Sequence, residues 1–379
     1  MRLTMPLSRR APPLLALLAI CGSARAQIVY PAIGTETQIQ FQHDMIRLPD
    51  GKTTQDLQLN IAHQTIVDFT DQFSVSSLMS MRQLVDPLDG SRSAFANEGL
   101  YAEELYAQWT NQIFKVRAGK FAQKFGRAWY LTPGIYGQNF VSDYQLAEQM
   151  GVEASWVFLP YQFGQHQISI SDFMADRTFL SESLFFNRGR TNISAGGPGN
   201  TKDPQSYVLS YDASNVPLPF GALSYQASYA WLGQGLGDTG VEHRASFGVN
   251  ANIPLNGGVA ETLRGRFSQI RLMGEAVRRW DANGVAGQRM DYLTSAMEYV
   301  QGNWVFDLSA TGRWTTYLGQ TTADRLAQAT IGYNLPMDTT VALGVAYQRT
   351  GGVDGLYVGL QLTYTYTSCD RCMILAKHY

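Results

Sequence analysis

Arg117, Lys120, Lys124 and Arg127 place four cations within one short stretch, and the acids Asp143 and Glu148 follow soon after. Cations and anions set against each other across a water-filled lumen create a transverse field that sorts permeating solutes. The competing reading is an ordered surface loop over 122–149 whose charges are simply solvated. A second basic set comprises Arg264, Arg266, Arg271, Arg278 and Arg279. Arg264 and Arg266 share one face of a strand, opposite Leu263, Gly265 and Phe267. If the apolar face meets lipid, the arginines must face water, because a lipid-facing Arg costs about 2–4 kcal/mol at the bilayer midplane. Arg313 points inward by the same reasoning. These arginines could form an anion path, or they could pair with inward Asp307, Glu298 and Glu103 to stiffen the wall.

Other chemistry is not spelled out. His43, His63, His166, His243 and His378 lie in no nucleophile elbow and no H-E-x-x-H pattern, so hydrolysis by a histidine base is not expected. Gly233, Gly235 and Gly237 have the spacing of a dinucleotide loop, but no helix is predicted after them. Cys369 and Cys372 with His378 supply three metal ligands, one short of a structural zinc site. A local disulfide without functional role is the expectation there. The sequence therefore predicts a non-enzyme with no cofactor and no metal.

The ends and the composition say where such a chain works. Arg2, Arg9 and Arg10 precede a short apolar run from Leu14 to Cys21, and Ala24-Arg25-Ala26 is an A-x-A cleavage site. Residues 1–26 read as a secretory signal peptide, too short in its apolar run to cross a bilayer. Removing them takes four arginines from 29 Lys+Arg, against 31 Asp+Glu, and leaves a net charge of about −6. An acidic chain is a poor match for nucleic acid. Charged residues are 16% of the sequence, low for a soluble domain, while aromatics reach 12% and tyrosine leads them. The mature chain lacks an apolar run long enough for a transmembrane helix. Only a closed barrel could then cross a membrane, because lipid offers the backbone no hydrogen-bond partners.

The chain alternates apolar and polar residues in segment after segment. Trp304, Phe306, Leu308, Ala310, Gly312 and Trp314 alternate with Asn303, Asp307, Ser309, Thr311 and Arg313. A period of two puts the two sets on opposite faces of a strand, and the apolar face begins and ends with Trp, as in a stave crossing between two aromatic girdles. Similar segments cover 223–231, 245–253, 341–347 and 358–366. Weaker ones cover 38–47, 55–66, 73–83, 101–110, 113–121, 150–158, 165–173, 205–212, 262–275, 290–300 and 324–333. Together they predict about sixteen strands. Tight turns rich in Pro, Gly and Asn fall at 159–161, 216–219, 254–258, 301–302 and 335–338. The stretches 86–99, 174–204, 232–241 and 276–289 read as long loops. Short turns at one rim and long loops at the other is the pattern of outer-membrane barrels.

Residues 117–151 carry a further pattern. A strand ends in Gly119-Lys120-Phe121, Phe125-Gly126 follows, then Pro133-Gly134-Ile135-Tyr136-Gly137, then Glu148 and Gly151. This stretch resembles the phosphate-selective porin O/P-like family of Gram-negative bacteria. The resemblance implies a trimeric diffusion porin whose pore is narrowed by inward-folded loops and lined with charged residues. It does not by itself carry phosphate selectivity.

The fold expected is all-β: a transmembrane antiparallel β-barrel of about sixteen strands, with long extracellular loops and short periplasmic turns. Residues 1–26 form the signal peptide, 27–366 the barrel and 367–379 a C-terminal tail. The function expected is passive diffusion of small hydrophilic solutes or inorganic ions, anions among them, in the outer membrane, with lipid around the barrel and a homotrimer as the assembly. The pore-lining candidates are Arg117, Lys120, Lys124, Arg127, Arg264, Arg266, Arg313, Asp143 and Glu148. The alternative is a barrel serving adhesion, with 174–204 and 276–289 as the contact loops.

Overall fold

A computed structural model of the chain describes residues 30–158, 163–255 and 268–369. The signal peptide, Arg264, Arg266, Cys372 and His378 lie outside the described residues. Sixteen antiparallel strands form the wall. The first eight are β1 (Ala32–Arg47), β2 (Thr53–Asp68), β3 (Phe73–Gln83), β4 (Glu98–Thr110), β5 (Phe114–Phe121), β6 (Gln149–Phe158), β7 (Gln165–Ala175) and β8 (Ser206–Leu218). The rest are β9 (Gly221–Trp231), β10 (His243–Pro254), β11 (Ser268–Trp280), β12 (Arg289–Gln301), β13 (Trp304–Tyr317), β14 (Gln320–Leu335), β15 (Thr339–Thr350) and β16 (Val353–Cys369). Each strand pairs with its neighbours in sequence. β16 returns to β1 in a ladder from Gly34 and Cys369 to Arg47 and Leu356, so the sheet closes. Closure gives each strand a partner on both sides and leaves no open edge strand among the described residues, the condition for crossing lipid without helices. Among the described residues no helix is long and apolar enough to cross a membrane.

The period-two pattern sets which face is which. Trp304, Phe306, Leu308 and Trp314 of β13 are exposed on the outside, while Asp307, Ser309 and Thr311 are buried inside. The same exposed belt continues through Leu343 and Val345 of β15 and Leu356, Leu360 and Leu362 of β16. An apolar surface of that extent belongs against lipid, not water. At one end the belt finishes in packed aromatics, with Trp304 and Tyr333 meeting edge-on, 4.7 Å apart between ring centres.

Some boundaries differ from the sequence reading. Val216 to Leu218 belong to β8, and the turn is reduced to 219–220. The strand expected over 262–275 is described from Ser268 and runs on to Trp280, so 276–280 is wall and the loop is 281–288. The adjacent Arg278 and Arg279 resemble loop residues, but they sit on opposite faces of β11. The last strand reaches Cys369, three residues past Tyr366. Finally, the rim bearing the long loops also has tight hairpins at 318–319 and 351–352. Gly351 and Gly352 both have positive φ, which is what a two-residue turn matched to strand twist requires.

Candidate functional site

The barrel is not hollow on all sides. Residues 122–148, between β5 and β6, fold inward and pack along the interior from β9 round to β1. The segment contains one helical turn, Ala128–Leu131, and a 3-10 turn, Val141–Tyr144. Its Phe125, Trp129, Ile135, Tyr136, Phe140 and Tyr144 form an apolar core inside the lumen with Met273, Val277, Tyr292, Leu326 and Tyr357 of the wall. Segments of this size usually avoid burial because their backbone needs partners, and here the wall supplies them.

Five anchors hold the segment. Glu275 of β11 accepts from the backbone N–H groups of Arg127 and Ala128, which open the helical turn, and from the Tyr144 hydroxyl at 2.7 Å. At the far side the Tyr136 hydroxyl donates to Asp44 of β1 at 2.7 Å, and its ring packs edge-on against Tyr357 at 5.5 Å. Beside it, Gln328 of β14 donates to the Pro133 carbonyl at 2.8 Å, and Thr330 accepts from the Ile135 N–H at 3.2 Å. Gly134 is needed there: its φ is +88°, and any side chain would run into the Gln328 amide. On the way back, Arg313 of β13 binds Asp143 at 2.7 Å and Asp324 at 2.6 Å and lies over the Phe140 ring at 4.5 Å. The last anchor is Glu242, fully buried, which holds both Arg244 and Arg279; these arginines donate to the Tyr144 and Asp143 carbonyls at 2.9 and 3.1 Å.

Burial alone would raise the Glu242 carboxyl, but the Arg244 charge and the Arg279 hydrogen bond outweigh it and hold the group below the ordinary carboxylate range. Glu148 behaves likewise: burial pushes it up, and Arg188 and Lys120 together bring it down.

The predicted cations do not form one ring. Arg117 of β5 binds Glu153 of β6 at 2.8 Å and packs over the Phe121 ring at 4.1 Å. Lys124 crosses from the inserted segment to the same Glu153 at 3.1 Å and is still 25% exposed. Arg127 is half-buried and forms no ion pair within 4 Å among the described residues. Lys120 is different, because it is fully buried and bound to Glu148, Asp176 and the Leu180 carbonyl, each within 2.9 Å. It ties the base of the inserted segment to the loop 176–205. Arg188 of that loop also binds Glu148, at 3.0 Å, and lies on the Tyr101 ring at 4.0 Å. Asp143 thus meets Arg313, not the β5 cations, and Glu148 meets Lys120.

Of the second basic set, Arg271 pairs with Glu298 at 3.3 Å, as the wall-pairing alternative expects. Arg313 takes Asp324 and Asp143 instead of Asp307, while Glu103 accepts from Ser80. Arg279 is inward and buried, and Arg278 is outward. Sequence reasoning missed Glu153, Glu242, Arg244 and Glu275. Alternation would have placed Glu153 and Glu275 inside, but nothing in the sequence says what they hold. Beyond the inserted segment, the interior of β1 to β4 is polar and carries more acids than bases, with Asp44, Asp56, Glu98 and Glu103 buried there beside Arg82. Gln40 donates to Gln42 at 3.2 Å, Gln42 to Asp44 at 2.8 Å, and Gln361 of β16 to Gln42 at 3.1 Å.

No family model and no curated protein matches the sequence. Solved structures do resemble the fold. OprB of Pseudomonas putida is 9% identical with a TM-score of 0.57, covering 89% of this chain and 94% of its own. The outer membrane channel DcaP of Acinetobacter baumannii is 10% identical with a TM-score of 0.54, covering 88% and 97%. OmpT, an outer membrane protein of Vibrio cholerae in a trimer form, is 10% identical with a TM-score of 0.50, covering 88% and 99%. The fold is that of Gram-negative outer-membrane barrels, and its apolar exterior fits the outer membrane.

Proposed function

We propose that the chain is a passive diffusion porin whose passage runs between the inserted segment 122–148 and the polar wall of β1 to β6. The inserted segment carries this reading. It packs its apolar residues against β11 to β16 and sets Lys124 against Glu153, Ser155 and Ser169 of β6 and β7, while the glutamines, serines and acids of β1 to β4 offer a wettable surface on the other side of the passage. A constriction so built passes small hydrophilic solutes and rejects bulky or apolar ones. The channel DcaP, with the same fold, and the resemblance of residues 117–151 to phosphate-selective porin O/P-like proteins support it.

Two cations, Arg117 and Lys124, share the single carboxylate of Glu153, and Arg127 adds a third. Glu104 lies near Arg117 and Asp212 near Lys124 and Arg127, so the charges largely balance and the preference for anions is weak, carried by the exposed Lys124. Lys120, sealed between Asp176 and Glu148, serves the architecture and not the permeant. Residues 1–26 act as the export signal, and a homotrimer is the assembly. Polar groups on the outer face of β1 and β2 support the trimer: His63 bonds Thr37 at 2.8 Å and Thr65 at 3.0 Å where lipid would otherwise lie. OmpT, with the same fold, has a trimer form.

Single-channel recording in planar bilayers tests the pore. Stepwise ohmic conductance is expected. A folded barrel that carries no current would reject the pore and leave adhesion through the outer loops. Reversal potential in a salt gradient then reads the sign of the preference.

A further inference from the structure

The outer face of the barrel is uneven at the long-loop rim. On β11 and β12, Arg278 and Arg289 both point outward and converge on Asp291, at 2.6 and 3.0 Å. On β14 and β15, Arg325 and Arg349 are direct cross-strand partners on the same outward face. Like charges set opposite each other repel. Nearby Asp354 lies 3.9 Å from Arg349, and Arg325 reaches only the Tyr347 hydroxyl, at 3.1 Å. Four arginines therefore face two acids. Between the two pairs, β13 offers Trp314, whose ring lies flat over Gly312. The corresponding outward positions of β7 to β9 carry Asp172, Tyr207 and Trp231 instead.

We propose that this arc binds a bisphosphorylated, acylated glycolipid of the outer leaflet, one phosphate at each arginine pair. Strand spacing puts the pairs roughly 10–15 Å apart, a span that phosphates at the two ends of a disaccharide can bridge. Guanidinium groups suit phosphate because their donors match it two at a time. Below the pairs, the exposed Leu293, Leu308, Leu343 and Leu356 continue the apolar belt, where acyl chains would lie. Trp314 gives the sugar a flat apolar platform. The polar outward groups of β1 and β2 are separated from the arc by β16, so a trimer contact confined to β1 and β2 leaves the arc to lipid. The proposal rests on the membrane reading and on the long-loop rim being extracellular, but not on the pore carrying current.

The test uses the full mature chain, folded in detergent, and measures binding of purified lipid A by native mass spectrometry and thermal shift. Comparison probes are its monophosphorylated form, phosphatidylglycerol and inorganic phosphate. The double variants R278Q/R289Q and R325Q/R349Q are each expected to weaken lipid A binding about tenfold or more, the scale of a charge-assisted hydrogen bond. The monophosphorylated form should bind more weakly and respond to only one of the two double variants. Unchanged channel conductance and oligomer size would show both variants folded and assembled. Equal binding of phosphatidylglycerol, or variants that bind lipid A as tightly as the parent, would overturn the proposal. So would a change in oligomer size without a change in lipid binding, which would assign the arc to another copy.

Discussion

Two interior clusters share one design, a single carboxylate holding two cations, and differ in what surrounds it. Glu153 holds Arg117 and Lys124 on the β5 and β6 side. Glu242 holds Arg244 and Arg279 where the inserted segment returns to β10 and β11. Lys124 and Arg117 keep 25% and 11% of their side chains exposed, whereas Arg244 and Arg279 keep 8% and 4%. The first cluster can act on a passing solute and the second cannot. Both clusters set one carboxylate against two cations, one of them Lys124 in the first and both Arg in the second, and it is the exposure of Lys124 that separates pore electrostatics from structural anchoring.

The largest effect should come from breaking the buried member. Glu242→Gln leaves two arginines without their counter-charge and should cost about 3–5 kcal/mol in urea unfolding. An unfolding midpoint equal to the parent's would remove the anchoring role. Glu275→Gln is expected to be milder, about 1.5–3 kcal/mol, the worth of charge-assisted hydrogen bonds at the helical turn. Because it loosens the inserted segment, its single-channel current should also become noisier. A quiet channel of unchanged conductance would separate Glu275 from that segment.

Acid should next reveal the loop carboxylates. Glu242 and Glu148 are held below their ordinary range in the folded chain. Their stabilisation is therefore complete above an unfolded carboxylate's value near ~4.3 and fades as pH falls through the lower folded value. Titration of thermal stability from neutral to acid should fall only below about pH 4. A loss beginning near neutrality would contradict the sign of both shifts.

The smallest change in stability, below about 1 kcal/mol, is expected from Lys124→Gln, which leaves the Arg117–Glu153 pair intact. It should nevertheless move the reversal potential toward cation preference, and Arg127→Gln should add to that shift. If neither moves the potential, the exposed cluster has no part in selectivity.

How much of this was readable from residues alone varies by layer. The wall was legible because alternation with a period of two survives any tertiary arrangement. Each of the sixteen strands overlaps a segment marked by that pattern, including the weak ones at 73–83 and 113–121. The 276–280 stretch was obscured because two adjacent arginines look like loop, although one faces out and the other in. The inserted segment was legible as a structured insertion from Phe125-Gly126 and Pro133-Gly134-Ile135-Tyr136-Gly137. Its anchors were not legible, since Asp44, Glu242, Glu275 and Arg313 are distant in sequence and meet it only across the lumen.

Sequence by itself determined the barrel, its inside and its outside, because lipid demands that the backbone groups pair and that the outward side chains of the mid-membrane belt be apolar. It also placed a cluster of cations beside β5. Only the tertiary structure decided which of them stay wet. Lys120 is sealed by Asp176 and Glu148, Arg313 is drawn to Asp143 and Asp324, and Lys124 and Arg127 stay partly exposed. Period and hydropathy are local properties of a chain, whereas the partner of a charge depends on which segments the closed wall brings together.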